Sequence, residues 1–198
     1  MISAFCAGTC LALLVLALLG NGERGTDDAL MATARLSFLL FWLAYSGSAL
    51  VAVFGPGFRF IKVRARDFGL AFASAHLVHV GLVLWLCYIG APPDRGAFIF
   101  FGIALIWTYL LALLSLDRLH KAIGPTGWWV LSTIGLNYIA YAFAVDFLKS
   151  PSRGIAIYIA GYLPFTVLSL AGPALRATAW GLNIYSMAAN TVSQSHRS

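Results

Sequence analysis

The sequence predicts an all-α integral membrane bundle of six transmembrane helices with both termini in the cytoplasm. Three observations lead there. Hydrophobic residues make up 61% of the 198 residues and charged residues 10%, and the mean hydropathy is +0.85. A soluble domain of this length has too little interior to hide that much apolar surface, so lipid must be its solvent. The apolar residues are gathered into six runs, each long enough to cross a bilayer core, which takes about 20 helical residues. The connections between runs are short and polar, and Gly or Pro marks most of them, as helix punctuation requires. Within hydrocarbon a helix satisfies its own backbone, whereas an open sheet would leave an edge unpaired.

The first run is Ile2–Leu19. No Lys or Arg precedes it and no small-residue cleavage site follows Leu19, so it reads as a spanning helix rather than a secretory signal. The second run, Leu30–Phe54, contains Ser46-Gly47-Ser48, small residues where another backbone can come close. The third, Phe68–Ala91, sets Gly69, Ala73 and His76 on one stripe, which should face the bundle. The fourth is Ala97–Leu116. The fifth is Trp128–Leu148, with Gly135 as a further close-contact point. The sixth is Gly154–Leu170, which Gly161 and Pro164 should bend. Residues 1–175 thus form one transmembrane domain, and 176–198 form a polar C-terminal tail, disordered in part. Within that tail Ala177–Met187 suits a short surface helix and Asn190–Ser198 suits disorder.

The net charge of +6 is no nucleic-acid footprint, because the basic residues sit in loops between apolar runs. It is the pattern of residues that set topology and meet anionic headgroups of the lipid bilayer. One side receives Arg59, Lys62, Arg64, Arg66, Arg118, Lys121, Arg176 and Arg197; the other receives Arg24, Arg35, Arg95, Lys149 and Arg153. The excess on the first side places both termini in the cytoplasm. Trp128 and Trp129 then lie at the cytoplasmic interface, and Trp85 and Tyr88 near the outer one, as an aromatic belt would. Cys6, Cys10 and Cys87 all lie in apolar runs and read as small packing residues.

His76 and His79 stand in the middle of the third run. A titratable side chain at that depth is costly and asks for a function or a partner. Three residues apart, the two project within about 60° of each other, so they cannot clasp opposite faces of one heme. Either one of them is an axial ligand, or both bond to polar groups on nearby helices, for which Asn137, Tyr138 and Tyr141 are suited. Neither other histidine, His120 or His196, lies in an apolar run; His120 reads as a loop residue at the cytoplasmic interface. Asp146, the acid well inside an apolar run, should pair with Lys149 or snorkel to water.

Several stretches resemble the ferric reductase-like transmembrane family, nearest its heme-binding membrane subunits of bacterial periplasmic methionine sulfoxide reductase systems. They are the first run with Gly25-Thr26-Asp27-Asp28-Ala29-Leu30 and Thr33-Ala34-Arg35; Arg64-Ala65-Arg66-Asp67-Phe68-Gly69-Leu70-Ala71-Phe72, a basic loop leading into a helix start; and Leu111-Ala112-Leu113-Leu114-Ser115 followed by Ile123-Gly124 and Trp128. Together they cover about residues 1 to 150. The resemblance implies a heme b, with His79 as iron ligand and His76 orienting it or a propionate, and a multi-pass protein of the bacterial inner membrane. It also implies electron transport with quinone or a redox partner protein. The chain departs from the family on its fifth run, where the family has two histidines. Here those stretches read Trp129-Val130-Leu131-Ser132-Thr133 and Ala144-Val145-Asp146-Phe147.

Two functional expectations follow. One is a cytochrome b-like electron-transfer subunit, at most a redox subunit passing electrons onward, with a cavity about 10 Å across beside His79 to admit a porphyrin. The other is a heme-free membrane scaffold or assembly partner in which side chains of the fifth run fill that space. A transporter ranks below both, since the runs show neither paired broken helices nor several intramembrane charges.

Overall fold

A computed structural model describes residues 1–148 and 161–195 of the chain. Those residues form helices and turns, with no strand among them: α1 (Ile2–Leu19), α2 (Glu23–Phe54), a 3-10 turn at Pro56–Phe58, α3 (Arg59–Val63), α4 (Ala65–Tyr88), α5 (Arg95–Leu114), α6 (Asp117–Leu148) and α7 (Leu163–Ser195). Five are long and apolar enough to cross a membrane: α1, α2, α4, α5 and the Lys121–Leu148 part of α6. The chain is thus a helical, multi-pass membrane protein in a lipid bilayer. α7, of 33 residues, is not among the five; Pro173, Arg176 and its hydroxyl residues interrupt its apolar stretch.

The centre of the bundle is α2. Thr26, Ala29, Thr33, Ser37, Phe38, Phe41, Tyr45 and Ser46 on this helix are all buried, and they recur at the three- and four-residue spacing of a helix face. α1 and α4 lie along one side of α2, where Ala12, Ala29 and Leu82 meet. α6 lies along another, through rings: Phe38 packs on Phe143 at 5.1 Å and Phe147 at 4.9 Å between centroids, and Phe72 of α4 reaches Phe143 at 6.0 Å. α7 covers the remainder. The Trp42 indole donates to the Leu168 carbonyl at 2.8 Å, Tyr162 meets Met31, and Arg176 donates to the Tyr45 carbonyl at 3.3 Å with its guanidinium 4.5 Å from that ring. These pairings advance together along both helices, so α7 runs parallel to α2. Lipid offers no hydrophobic gain for such contacts, so dispersion, hydrogen bonds and close backbone approach hold the bundle. Gly135 illustrates the last: a Cβ there would lie 2.7 Å from Trp107 of α5.

Several boundaries differ from expectation. α2 starts at Glu23, because the acidic turn before Leu30 continues the helix beyond the bilayer core. The loop expected over Gly55 to Asp67 contains a 3-10 turn and α3, entered through Gly55 at φ 91°. Helical structure begins at Asp117 rather than Trp128, so the backbone at His120 is helical and not loop. This leading segment is set off from the rest of α6 by Gly124 (φ 69°, ψ 173°) before Pro125. The left-handed φ suits glycine, and Pro125 then stands in a first helical turn, where it removes no bond. The expected disorder from Asn190 is replaced by helix up to Ser195, and no separate surface helix begins at Ala177. Pro164 sits in the first turn of α7, where a proline imposes no kink; Pro173 is the one inside it. Lys149, Arg153, the first part of the sixth run and residues 196–198 lie outside the described residues.

Candidate functional site

The third run's histidines project from the middle of α4. Their rings are stacked, with centroids 5.0 Å apart and planes 13° from parallel, as their three-residue spacing requires. His79 faces α2, and its Nδ1 lies 3.2 Å from Thr33 Oγ1. The same hydroxyl donates to the Ala29 carbonyl at 2.9 Å, with the Leu30 carbonyl at 3.1 Å. A threonine has one hydroxyl proton. Which of the two groups donates follows the imidazole tautomer. His76 lies between His79 and Phe72, 5.5 Å from the latter. Its Nδ1 is buried and has no hydrogen-bond partner.

The expected partners on α6 are engaged elsewhere. Asn137 Oδ1 accepts from the Tyr45 hydroxyl at 2.7 Å, and Asn137 Nδ2 donates to the Thr133 carbonyl at 2.7 Å. Tyr138 donates to the Phe100 carbonyl at 3.1 Å, and Tyr141 is 59% exposed. The reason is geometric: α2, not α6, covers the histidine face of α4. Thr33 was the residue missed. A polar face on this helix was legible, since Thr26, Thr33 and Ser37 recur at intervals of seven and four, but not that it meets α4; all three are essentially unexposed. Arg35, counted in the sequence only among the charges of one side, also has partners within the bundle. It lies within α2, its guanidinium 5.2 Å from the Tyr162 ring and 5.6 Å from that of Phe165.

The residues can be tested against a heme. A heme-ligating imidazole is commonly held through its second nitrogen, and Thr33 holds His79 in that manner. Opposite His79, however, the part of α6 from Trp128 to Leu148 carries no histidine. Its face toward α4 and α2 carries Phe143 and Phe147, which pack with Phe38, Phe41 and Phe72. Among the described residues no group of three His, Cys, Asp or Glu side chains could hold a metal ion. A cavity of about 400 Å3 does lie between α2, α4, α5 and α6, but Gly69 and Phe72 line it, and neither histidine does. Among the residues whose side chains are described, none stands opposite His79 as a second iron ligand. Lys149, the expected partner of Asp146, lies outside the described residues.

Comparison with protein-family models, curated proteins and solved structures finds no match to this chain. What it does rests on the geometry alone.

Proposed function

We propose that the chain is a six-span membrane subunit, ferric reductase-like in layout, that works without heme as a scaffold or assembly partner. The observation that carries this reading is the packing of phenylalanines between α4 and α6, where the family layout would clasp a porphyrin, with no ligand opposite His79 among the described residues. In this reading Thr33 and His79 form a structural clamp between α2 and α4. The parallel course of α7 beside α2 supports a sixth crossing, which brings both chain ends to one side. The basic segment Arg59–Arg66 supports assigning that side to the cytoplasm of a bacterial inner membrane. Reporter fusions at both ends test the topology: signals on opposite sides of the membrane refute it.

A second reading is favoured by the Nδ1 contact of His79. An imidazole held there presents Nε2, so a five-coordinate heme on His79 alone would make the chain an electron-transfer subunit served by quinone or a redox partner protein. The deciding experiment is a reduced-minus-oxidised visible spectrum of the purified protein, with iron content measured on the same sample and heme supplied during expression. The first reading expects no Soret or alpha band. Near-stoichiometric heme that is lost in His79→Ala and kept in His76→Ala would overturn it in favour of the second.

A further inference from the structure

The cavity between α2, α4, α5 and α6 is amphipathic along its length. At one end stand Arg66 in the first turn of α4, Ser115 just past the end of α5, and Ser132 and Trp128 of α6. Deeper in, the wall is Phe72, Leu111 and Ile139. Thr108, the hydroxyl at that depth, is turned to the Ala104 carbonyl at 2.8 Å. From Ala65 to Phe72, and from Thr108 to Ser115, the lining extends seven residues, about 10 Å of helix rise.

A half-open cavity of about 400 Å3 has room for a ligand and is open to what surrounds the bundle. Its deep wall has too few polar groups to hold water. In a bilayer the substance at hand to fill it is an acyl chain, which gains the dispersion contacts the bare wall lacks. The polar end sets which lipid is held. Arg59, Lys62, Arg64 and Arg66 fall within eight residues leading to the mouth. Between them Phe60 and Val63 of α3 are 59% and 72% exposed, and Arg64 lies over the Phe60 ring at 4.6 Å. Apolar side chains interleaved with cations are the composition of a segment lying in the headgroup plane. Basic pockets between transmembrane helices select acidic headgroups.

The geometry points to a site for one acidic phospholipid of the surrounding bilayer, with an acyl chain in the cavity and its phosphate at Arg66. Headgroup selectivity comes from the Arg66 end and chain retention from the apolar wall. Gly69 is the natural place to close it: a Cβ there meets only Ala44, at 3.9 Å, so a longer side chain enters the cavity.

The test uses the full chain in mild detergent, titrated with phosphatidylglycerol or phosphatidylcholine carrying brominated acyl chains. Bromine quenches tryptophan on contact, and Trp128 lines the cavity. The expected result is saturable quenching, about fivefold tighter for phosphatidylglycerol, that disappears in Trp128→Phe. Gly69→Leu and Ala112→Phe should abolish it. Arg66→Gln, which adds no bulk and keeps the test open if the filled variants fail to fold, should equalise the two lipids. Equal quenching by both lipids in the wild type, or saturable binding that survives in a folded Gly69→Leu protein, overturns the proposal. Displacement of phosphatidylglycerol by a neutral isoprenoid quinone at equal concentration overturns it as well.

Discussion

Replacing Thr33 by Val isolates the contact on which the reading of the histidines rests. The substitution keeps the branched shape and deletes only the hydroxyl. That hydroxyl lies 3.2 Å from His79 Nδ1, at the long end of the hydrogen-bond range, and it also serves the Ala29 carbonyl. The Ala29 bond closes within α2, so its loss is local, and the carbonyl keeps its ladder bond. The cost comes chiefly from His79, whose Nδ1 loses its hydroxyl partner. A buried donor or acceptor without a partner costs about 1–3 kcal/mol in water-soluble proteins. Interhelical bonds in membranes average about 0.6 and reach about 1.7 kcal/mol. The length of the bond argues for the middle of those ranges, about 1 kcal/mol for Thr33→Val, with a coupling of about 0.5–1.5 kcal/mol in a double-mutant cycle with His79→Leu. Thr33→Ser should lose less, because it keeps the oxygen. Unfolding of the purified protein in mixed micelles of mild detergent and dodecyl sulfate, followed by helicity, reads all four corners. If the two substitutions are additive within about 0.3 kcal/mol, the hydroxyl and the ring do not interact and the clamp between α2 and α4 fails as an account of His79.

Three other substitutions probe the packing. Gly135→Ala places a methyl 2.7 Å from Trp107 and 2.9 Å from Leu111, and should cost about 1–3 kcal/mol through overpacking; an unchanged thermal midpoint refutes the close approach of α5 and α6. His76→Phe exchanges a ring whose Nδ1 has no partner for an apolar one of similar shape, so stability should change by less than about 1 kcal/mol, and a loss above about 2 kcal/mol in the same unfolding assay would expose a partner the structure does not contain. Arg176→Gln removes the guanidinium from the Tyr45 ring and carbonyl. It should cost about 1–2 kcal/mol and speed protease cutting of α7, and cutting at the wild-type rate refutes the docking role of Arg176.

Where apolar runs were long and uninterrupted, the sequence was a sufficient guide. Ile2–Leu19 matches α1 to the residue, and Arg95–Leu114 lies within two residues of the expected run, because in hydrocarbon the length of an apolar segment and the need to close backbone bonds leave little choice. The helix ends were less legible. Glu23 and Asp117 belong to helices although their turns are polar, since a helix continues past the bilayer wherever nothing breaks it, and only Gly124 interrupts α6. Gly135 could be read as a close-contact residue because its size alone decides the matter. The partner of His79 could not, because that choice depends on which helix lies against α4. Six apolar runs do not state their order around a core, so Asn137 and Thr33 were equally eligible until α2 was placed at the centre.

The position of α2 also has a consequence for synthesis. Its polar and aromatic groups wait for a helix made later: Leu168, which accepts the Trp42 indole, follows it by 126 residues. At roughly 5–20 residues per second that is an interval of about 6–25 s. During it the Trp42 indole and the Arg35 guanidinium lack the cover that Leu168, Tyr162 and Phe165 later give. A ribosome that stops before Leu163 therefore releases a chain whose central helix presents an arginine and an unbonded indole to lipid, the kind of surface by which membrane quality control separates an orphan from a finished bundle.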